Sequence, residues 1–173
     1  ILIVNKFLYL RGGDCVHSLN LKQLLRNAGH DVCFYAMSYS QNIVCEENKY
    51  FAEEISFSAK DLQGKIKAAS RIIWGIGVVQ NFKKLLEEFQ PDVVHLNNIH
   101  SYLSPIVAKL AYQRGVKVIW TLHDYKLICP SYSCLCKGNT CEACFTDKKH
   151  VVLRKCMKNS FPASILAWGE AMN

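Results

Sequence analysis

The chain lacks the long apolar run that a membrane span demands. Its longest clearly apolar stretch, Ile72 to Val79, falls far short of the ~20 residues that cross a bilayer as a helix. It shows no secretory leader either: residues 1 to 7 open directly as a strand, with no basic lead and no cleavage site. Both absences make a cytoplasmic location the expectation, with peripheral contact at the inner face of the cell membrane as its variant. The dinucleotide fingerprint G-x-G-x-x-G is missing, which disfavours a nicotinamide-dependent oxidoreductase. The nucleophile elbow G-x-S-x-G is missing too, so no serine or cysteine has a convincing nucleophile context. Internal repeats and low-complexity tracts are absent. Charged residues make up only 20% of the chain against 50% hydrophobic ones, which excludes disorder by composition. A basic stripe is also lacking: lysines and arginines are scattered apart from pairs such as Lys83-Lys84 and Lys148-Lys149, so no nucleic-acid partner is expected.

What is present is one ordinary domain's worth of chain, 173 residues, enough for a single core. The net charge of +7 suits anionic partners such as phosphorylated small molecules or an anionic lipid surface. Cysteine is abundant. Of nine, three (Cys15, Cys33, Cys45) lie in the first half and the rest crowd between Cys129 and Cys156. Without a secretion signal, that cluster points to a metal site or reduced thiols rather than a disulfide framework.

The pattern alternates strands with helices. Ile1 to Phe7 reads as a strand, broken by Arg11-Gly12-Gly13-Asp14. Leu21, Leu24, Leu25 and Ala28 recur at helical spacing over about 15 to 28, and Gly29 stands where a C-terminal cap belongs. Asp31 to Ser38 is a second strand. Ser58 followed by Asp61 resembles a capping box before a long helical pattern over about 59 to 89, which Gly75 and Gly77 interrupt. Asp92 to Leu96 is a strand, Ser104-Pro105 opens a helix, and Val116 to Leu122 is a strand apolar on both faces. Such strands, alternating with helices, predict a Rossmann-like, doubly wound, mostly parallel sheet covered on both sides. Right-handed crossovers then bring the strand-to-helix turns to one rim. A Cys-rich loop follows from about 125 to 150, and the segment from 151 to 171 turns helical in its latter part.

Three strand ends and the loop carry the candidate chemistry. Arg11, Gly12 and Gly13 open a helix, where bare backbone and a positive dipole end suit an anion; a turn that binds nothing is the rival reading. Asn97, Asn98 and His100 lie past the third strand and suit a polyhydroxylated ligand, while His95 fits a satisfied core histidine. His123 and Asp124, followed by Tyr125 and Lys126, end the fourth strand. Histidine titrates near neutrality and can donate, accept or orient; packing for His123 and a turn cap for Asp124 are the alternative. Cys141-x-x-Cys144 has chelating spacing, and Cys129 and Cys156 complete a four-thiolate set for a structural zinc. Irregular spacing leaves reduced thiols as the rival, with Cys134-x-Cys136 offering other ligands. A bound metal would staple a long loop that lacks a core.

In their order, Val4-Asn5-Lys6-Phe7, Arg11-Gly12-Gly13, Gly29-His30-Asp31-Val32, Pro91-Asp92-Val93-Val94-His95-Leu96 and Leu122-His123-Asp124-Tyr125 resemble the N-terminal half of family 4 glycosyltransferases, retaining enzymes of GT-B fold. Leu127-Ile128-Cys129-Pro130 resembles a bacterial subgroup with downstream cysteines. The resemblance covers nearly the whole chain. It implies two Rossmann-like domains across a cleft: an acceptor-side domain, here residues 1 to 173, and a C-terminal nucleotide-sugar domain with an E-x7-E glutamate pair. That second domain is expected to be absent from this chain, which should then not turn over alone. The implied partners are a nucleotide-sugar and a glycan or lipid-linked acceptor. His123 would face the transferred sugar, orienting it and stabilising charge, and Asp124 would hold the turn. The family needs no metal for catalysis, so zinc would be structural. Two departures stand out. Many relatives have His-Leu-His-Asn where this chain has His95-Leu96-Asn97-Asn98, and a glutamate after Gly-Gly-small where it has Asp14-Cys15. The non-enzymatic alternative is a binding module whose zinc-stapled loop docks a partner.

Overall fold

A computed structural model describes residues 1–57 and 61–172. The Ser58 half of the expected capping box lies outside the described residues. Asp61 is nevertheless a cap: its carboxylate accepts from the Gly64 N–H at 2.6 Å. The chain separates into two compact units, Ile1–Thr121 and Leu122–Asn173. The stretch expected as a Cys-rich loop and tail thus gathers into a unit of its own.

The first unit is a four-stranded parallel sheet in the order β2-β1-β3-β4. Its strands are β1 (Leu2–Val4), β2 (Cys33–Tyr35), β3 (Val93–Leu96) and β4 (Lys117–Trp120). Leu2, Ile3 and Val4 are wholly buried because β1 is central, pairing Val4 with Tyr35 on one side and Leu96 on the other. β4 corrects the sequence reading. It pairs with β3 alone, so it is the edge of this sheet. Ile119 is 42% exposed, and the apolar composition does not reflect burial on both faces.

The helices are α1 (Gly13–Asn27), α2 (Leu62–Trp74), α3 (Val79–Phe89) and α4 (Ile106–Gln113). The long helical pattern over 59 to 89 is two helices. Gly75 and Gly77 adopt φ of 64° and 79°, a left-handed conformation that costs other residues most. α3 buries Phe82, Leu85 and Leu86, the stripe its spacing predicts.

Strand order fixes where a ligand belongs. From β1 the chain winds one way to β2, then crosses back over β1 to β3 and onward to β4. The winding reverses between β1 and β3, and ligands of open α/β sheets sit beyond the carboxyl ends at that reversal.

The second unit holds a two-stranded hairpin, β5 (Leu135–Cys136) with β6 (Asn139–Thr140), then α5 (His150–Leu153) and α6 (Phe161–Glu170). Ser160 caps α6 by accepting from the Ala163 N–H. Among the described residues no helix is long and apolar enough to cross a membrane.

Candidate functional site

The reversal point is held by a residue outside the candidate set. Asn5, fully buried directly after β1, accepts the Asn98 N–H on Oδ1 at 3.1 Å. Its Nδ2 donates to the Phe7 carbonyl at 3.1 Å and faces the Cys15 sulfur at 3.5 Å. Its backbone N–H reaches the Tyr35 carbonyl at 3.1 Å. The side-chain amide therefore ties the end of β1 to the end of β3 and the first turn of α1, and the backbone N–H adds the end of β2. An amide fits because a buried site with both donors and acceptors to satisfy needs both in one side chain. In sequence Asn5 reads as an ordinary polar residue at a strand end, because its partner Asn98 lies far along the chain.

Gly12 and Gly13 begin α1. Gly12 is extended, with φ of −140° and ψ of 178°, and no side chain caps the helix. No left-handed angle demands glycine here. A Cβ on Gly13 would meet nothing within 4 Å, so this backbone faces open space, the arrangement that lets a ligand approach main-chain N–H groups. Arg11 is exposed, its guanidinium 4.7 Å from the Phe7 ring centre. Asp14 lies 3.9 Å from Lys6 Nζ.

Past β3, Asn97 is buried. Its N–H bonds the Val4 carbonyl at 2.9 Å, and its own carbonyl accepts from the Trp120 indole at 3.0 Å. Asn98 bonds Lys6 and Asn5 through its backbone. His100 stacks on Trp120 at 5.2 Å. His95 shares a 2.7 Å hydrogen bond with the Thr121 hydroxyl and is half-buried. Arg11, Gly12, Gly13, Asn97, Asn98 and His100 thus follow the carboxyl ends of the adjacent strands β1 and β3.

The other candidates belong to the second unit. His123 is exposed. Asp124 Oδ1 accepts the Lys126 N–H at 2.8 Å, an Asx turn that fixes the chain just after the histidine. Tyr125 is exposed, and its carbonyl accepts the Cys129 N–H at 2.7 Å. Lys126 is nearly buried. Its ammonium donates to the Pro130 carbonyl at 2.7 Å and pairs with Glu170 at 3.1 Å. Glu170 carried no sequence signal, because the partnership spans a long separation.

Cys129, Cys144 and Val151 form the buried core of this unit, with Cys134, Val152 and Cys156 packed against it. Cys129 Sγ lies 3.2 Å from the Ser131 hydroxyl, and Cys141 Sγ accepts from Arg154 at 3.5 Å. Among the described residues no three His, Cys, Asp or Glu side chains stand in a metal-holding group. Burial pushes the thiol of Cys144 up to about 11 and that of Cys156 up to about 12, with neighbouring cysteines adding to both. Burial likewise pushes Cys33, in the first unit, up to about 12. A thiol at about 12 is only about 10⁻⁴ thiolate at pH 8. Iodoacetamide at pH 8 should therefore leave Cys33, Cys144 and Cys156 unlabelled in the native protein, as peptide mass spectrometry would show; fast labelling of Cys33 would contradict its burial. The same shifts set a sign for stability. A thiol raised by folding favours the folded state below its ordinary value of about 9, and that contribution fades as pH climbs from about 9 towards 12.

Residues 11–138 match the family model Glycosyltransferase Family 4. An uncharacterized glycosyltransferase of Methanosarcina acetivorans is 36% identical over 107 residues. That alignment covers 57% of this chain and 28% of the relative's length. No solved structure matches the chain.

Proposed function

The chain belongs to glycosyltransferase family 4, and from that premise we propose that it is the acceptor-side portion of a retaining enzyme. That enzyme moves a sugar from a nucleotide-sugar to a glycan or lipid-linked acceptor. The observation that carries the reading is the rim at the β1/β3 reversal, where Asn5 ties the ends of β1 and β3 beside the open Gly13 backbone. The chain spans little more than a quarter of the relative's length, so the donor half is expected in further sequence and this stretch alone is expected to be inactive.

In this reading the bond from the anomeric carbon to the leaving phosphate oxygen breaks through an oxocarbenium-like transition state. Negative charge gathers on the phosphate, and backbone N–H groups at the Gly12-Gly13 turn answer it. His123 orients the transferred sugar and stabilises charge near the reacting carbon, with Asp124 fixing its turn. No metal is required at the reacting carbon. The reading places the enzyme in the cytoplasm, with the acceptor met there or at the membrane's inner face.

The test is turnover of a panel of nucleotide-sugars by the complete gene product, scored as hydrolysis and as transfer. His123→Ala should lower kcat about 100-fold, the scale of losing one preorganised charge-stabilising group. Activity indifferent to His123 would remove that residue from the mechanism, and no turnover of any donor would remove the function. Structural zinc on Cys129, Cys141, Cys144 and Cys156 remains a proposal for the second unit. Metal analysis of the purified protein decides it: about one zinc per chain supports zinc, and substoichiometric zinc with stability unchanged in chelator excludes it.

A further inference from the structure

The rim of the first unit carries more aromatic surface than strand ends require. Phe7, just past β1, is 3% exposed and touches three tyrosines. Its ring centre lies 5.6 Å from Tyr9, 5.2 Å from Tyr39 and 5.5 Å from Tyr102. These residues follow three different strands: Tyr9 comes after β1, Tyr39 after β2 and Tyr102 after β3. Tyr9 and Tyr39 stack 5.5 Å apart with planes 16° from parallel.

These tyrosines differ from a core tyrosine. Tyr35 is fully buried, and its hydroxyl donates to the Val78 carbonyl at 3.3 Å, as a buried phenol should. Tyr9, Tyr39 and Tyr102 are only partly buried. Among the described residues their hydroxyls make no hydrogen bond. Held against Phe7, with Phe57 also set edge-on to Tyr102 at 5.0 Å, these partly exposed rings form an amphipathic aromatic platform.

Two cations border it. Arg11 sits over Phe7 at 4.7 Å, is exposed, and forms no ion pair among the described residues. Lys6 Nζ stands 5.9 Å from the Tyr102 ring centre and 3.9 Å from the Asp14 carboxylate, a loose pair that a phosphate would compete with. A ring face is electronegative at its centre, so it attracts the weakly positive C–H groups on the face of a pyranose. Phenol hydroxyls meet sugar hydroxyls as either donor or acceptor. A guanidinium fork matches phosphate oxygens in pairs.

The geometry points to a binding subsite for a saccharide that carries a phosphate on its anomeric oxygen, with the sugar ring on Tyr9, Tyr39 and Tyr102 and the phosphate at Arg11 and Lys6. This inference rests on the acceptor-side reading and names the chemical class of the acceptor: a glycosyl phosphate, soluble or lipid-borne.

Calorimetric titration of the 173-residue chain tests it, with no donor present. The soluble arm uses the 1-phosphates of glucose, galactose, mannose and N-acetylglucosamine. The lipid arm uses N-acetylglucosamine linked to farnesyl diphosphate in phosphatidylcholine vesicles. Controls are the matching methyl glycosides, inorganic pyrophosphate and UDP. At least one glycosyl phosphate should bind about tenfold more tightly than its methyl glycoside and than pyrophosphate. Binding confined to one arm supports the subsite and identifies the source of the phosphate.

Arg11→Ala removes an exposed charge, and Tyr39→Leu removes the ring while keeping apolar bulk. Each should weaken binding about fivefold with an unchanged circular dichroism spectrum. Pyrophosphate bound as tightly as any glycosyl phosphate, UDP competing equally well, no binding in either arm, or folded variants that bind like the parent would each overturn the inference. Transfer by the complete gene product without glycosyl phosphate binding overturns this inference alone. Binding without turnover of any nucleotide-sugar overturns the transferase reading alone.

Discussion

Glu170→Ala is expected to destabilise the second unit by about 3–5 kcal/mol, the cost of stranding a buried charge. Lys126 and Glu170 are 4% and 1% exposed, with Nζ 3.1 Å from Oε2. Removing the carboxylate leaves the ammonium with the Pro130 carbonyl at 2.7 Å and no counter-charge at its side. Glu170→Gln keeps the shape and one acceptor, so it should lose less. The double variant Lys126→Met/Glu170→Leu should regain most of the loss, because replacing both charges with apolar side chains of similar size is often neutral or better. Hydrogen exchange over α6 checks this without interference from the other unit. Unchanged protection in Glu170→Ala would show that the pair holds nothing.

The pair also bears on the candidate chemistry. Lys126 was expected to touch substrate, yet its ammonium lies inside the unit, and its backbone N–H completes the Asp124 turn. A loosened Lys126 therefore frees the segment that carries His123. In the complete gene product Glu170→Ala should lower kcat as well as stability, whereas the double variant should recover stability first.

The legible parts of this chain were those set by local chemistry. Period-two and helical spacing placed β1 to β3 and α1 to α4 within a few residues, because one face of each element must bury. Gly75 and Gly77 announced a break, and both take left-handed angles there. Position in the sheet was not legible in the same way. Val118, Ile119 and Trp120 have the composition of a central strand, but pairing on one side only leaves Ile119 exposed. Composition reports what a strand tolerates, and strand order reports what covers it.

Side-chain partnerships across long separations were equally silent. Asn5 reaches Asn98, and Lys126 reaches Glu170; each half reads alone as an ordinary polar residue. The motif residues were visible because strand ends of this fold are where ligands sit. The aromatic platform was not, because Phe7, Tyr9, Tyr39 and Tyr102 meet only once three strands have been placed side by side.

Arg71 gives the second large effect, and it bonds the backbone of one platform residue, Tyr102. Its side chain is fully buried and, among the described residues, forms no direct ion pair, with the Glu53 carboxylate only near enough to be felt. Nε donates to the Ile76 carbonyl at 2.6 Å, and Nη1 donates to the carbonyls of Glu53 at 3.2 Å and Tyr102 at 3.1 Å. Nη2 is buried with no partner. One guanidinium thus gathers three segments, among them the one that presents Tyr102, and burial pulls its pKa down. Arg71→Ala should cost about 3–5 kcal/mol, since it opens a cavity and removes the donor that three backbone carbonyls share. Arg71→Lys keeps the charge but cannot fork to all three, so it should rescue little. Gly77 supplies an internal control. A Cβ there would fall 2.7 Å from Arg71 Nη2 at a φ of +79°. Gly77→Ala should therefore cost about 1–3 kcal/mol in the parent. In Arg71→Ala the steric part vanishes and only the backbone strain remains, so the two substitutions together should cost less than their sum. Urea denaturation of all four proteins closes the cycle, and strict additivity would mean that Arg71 does not fill the space under Gly77.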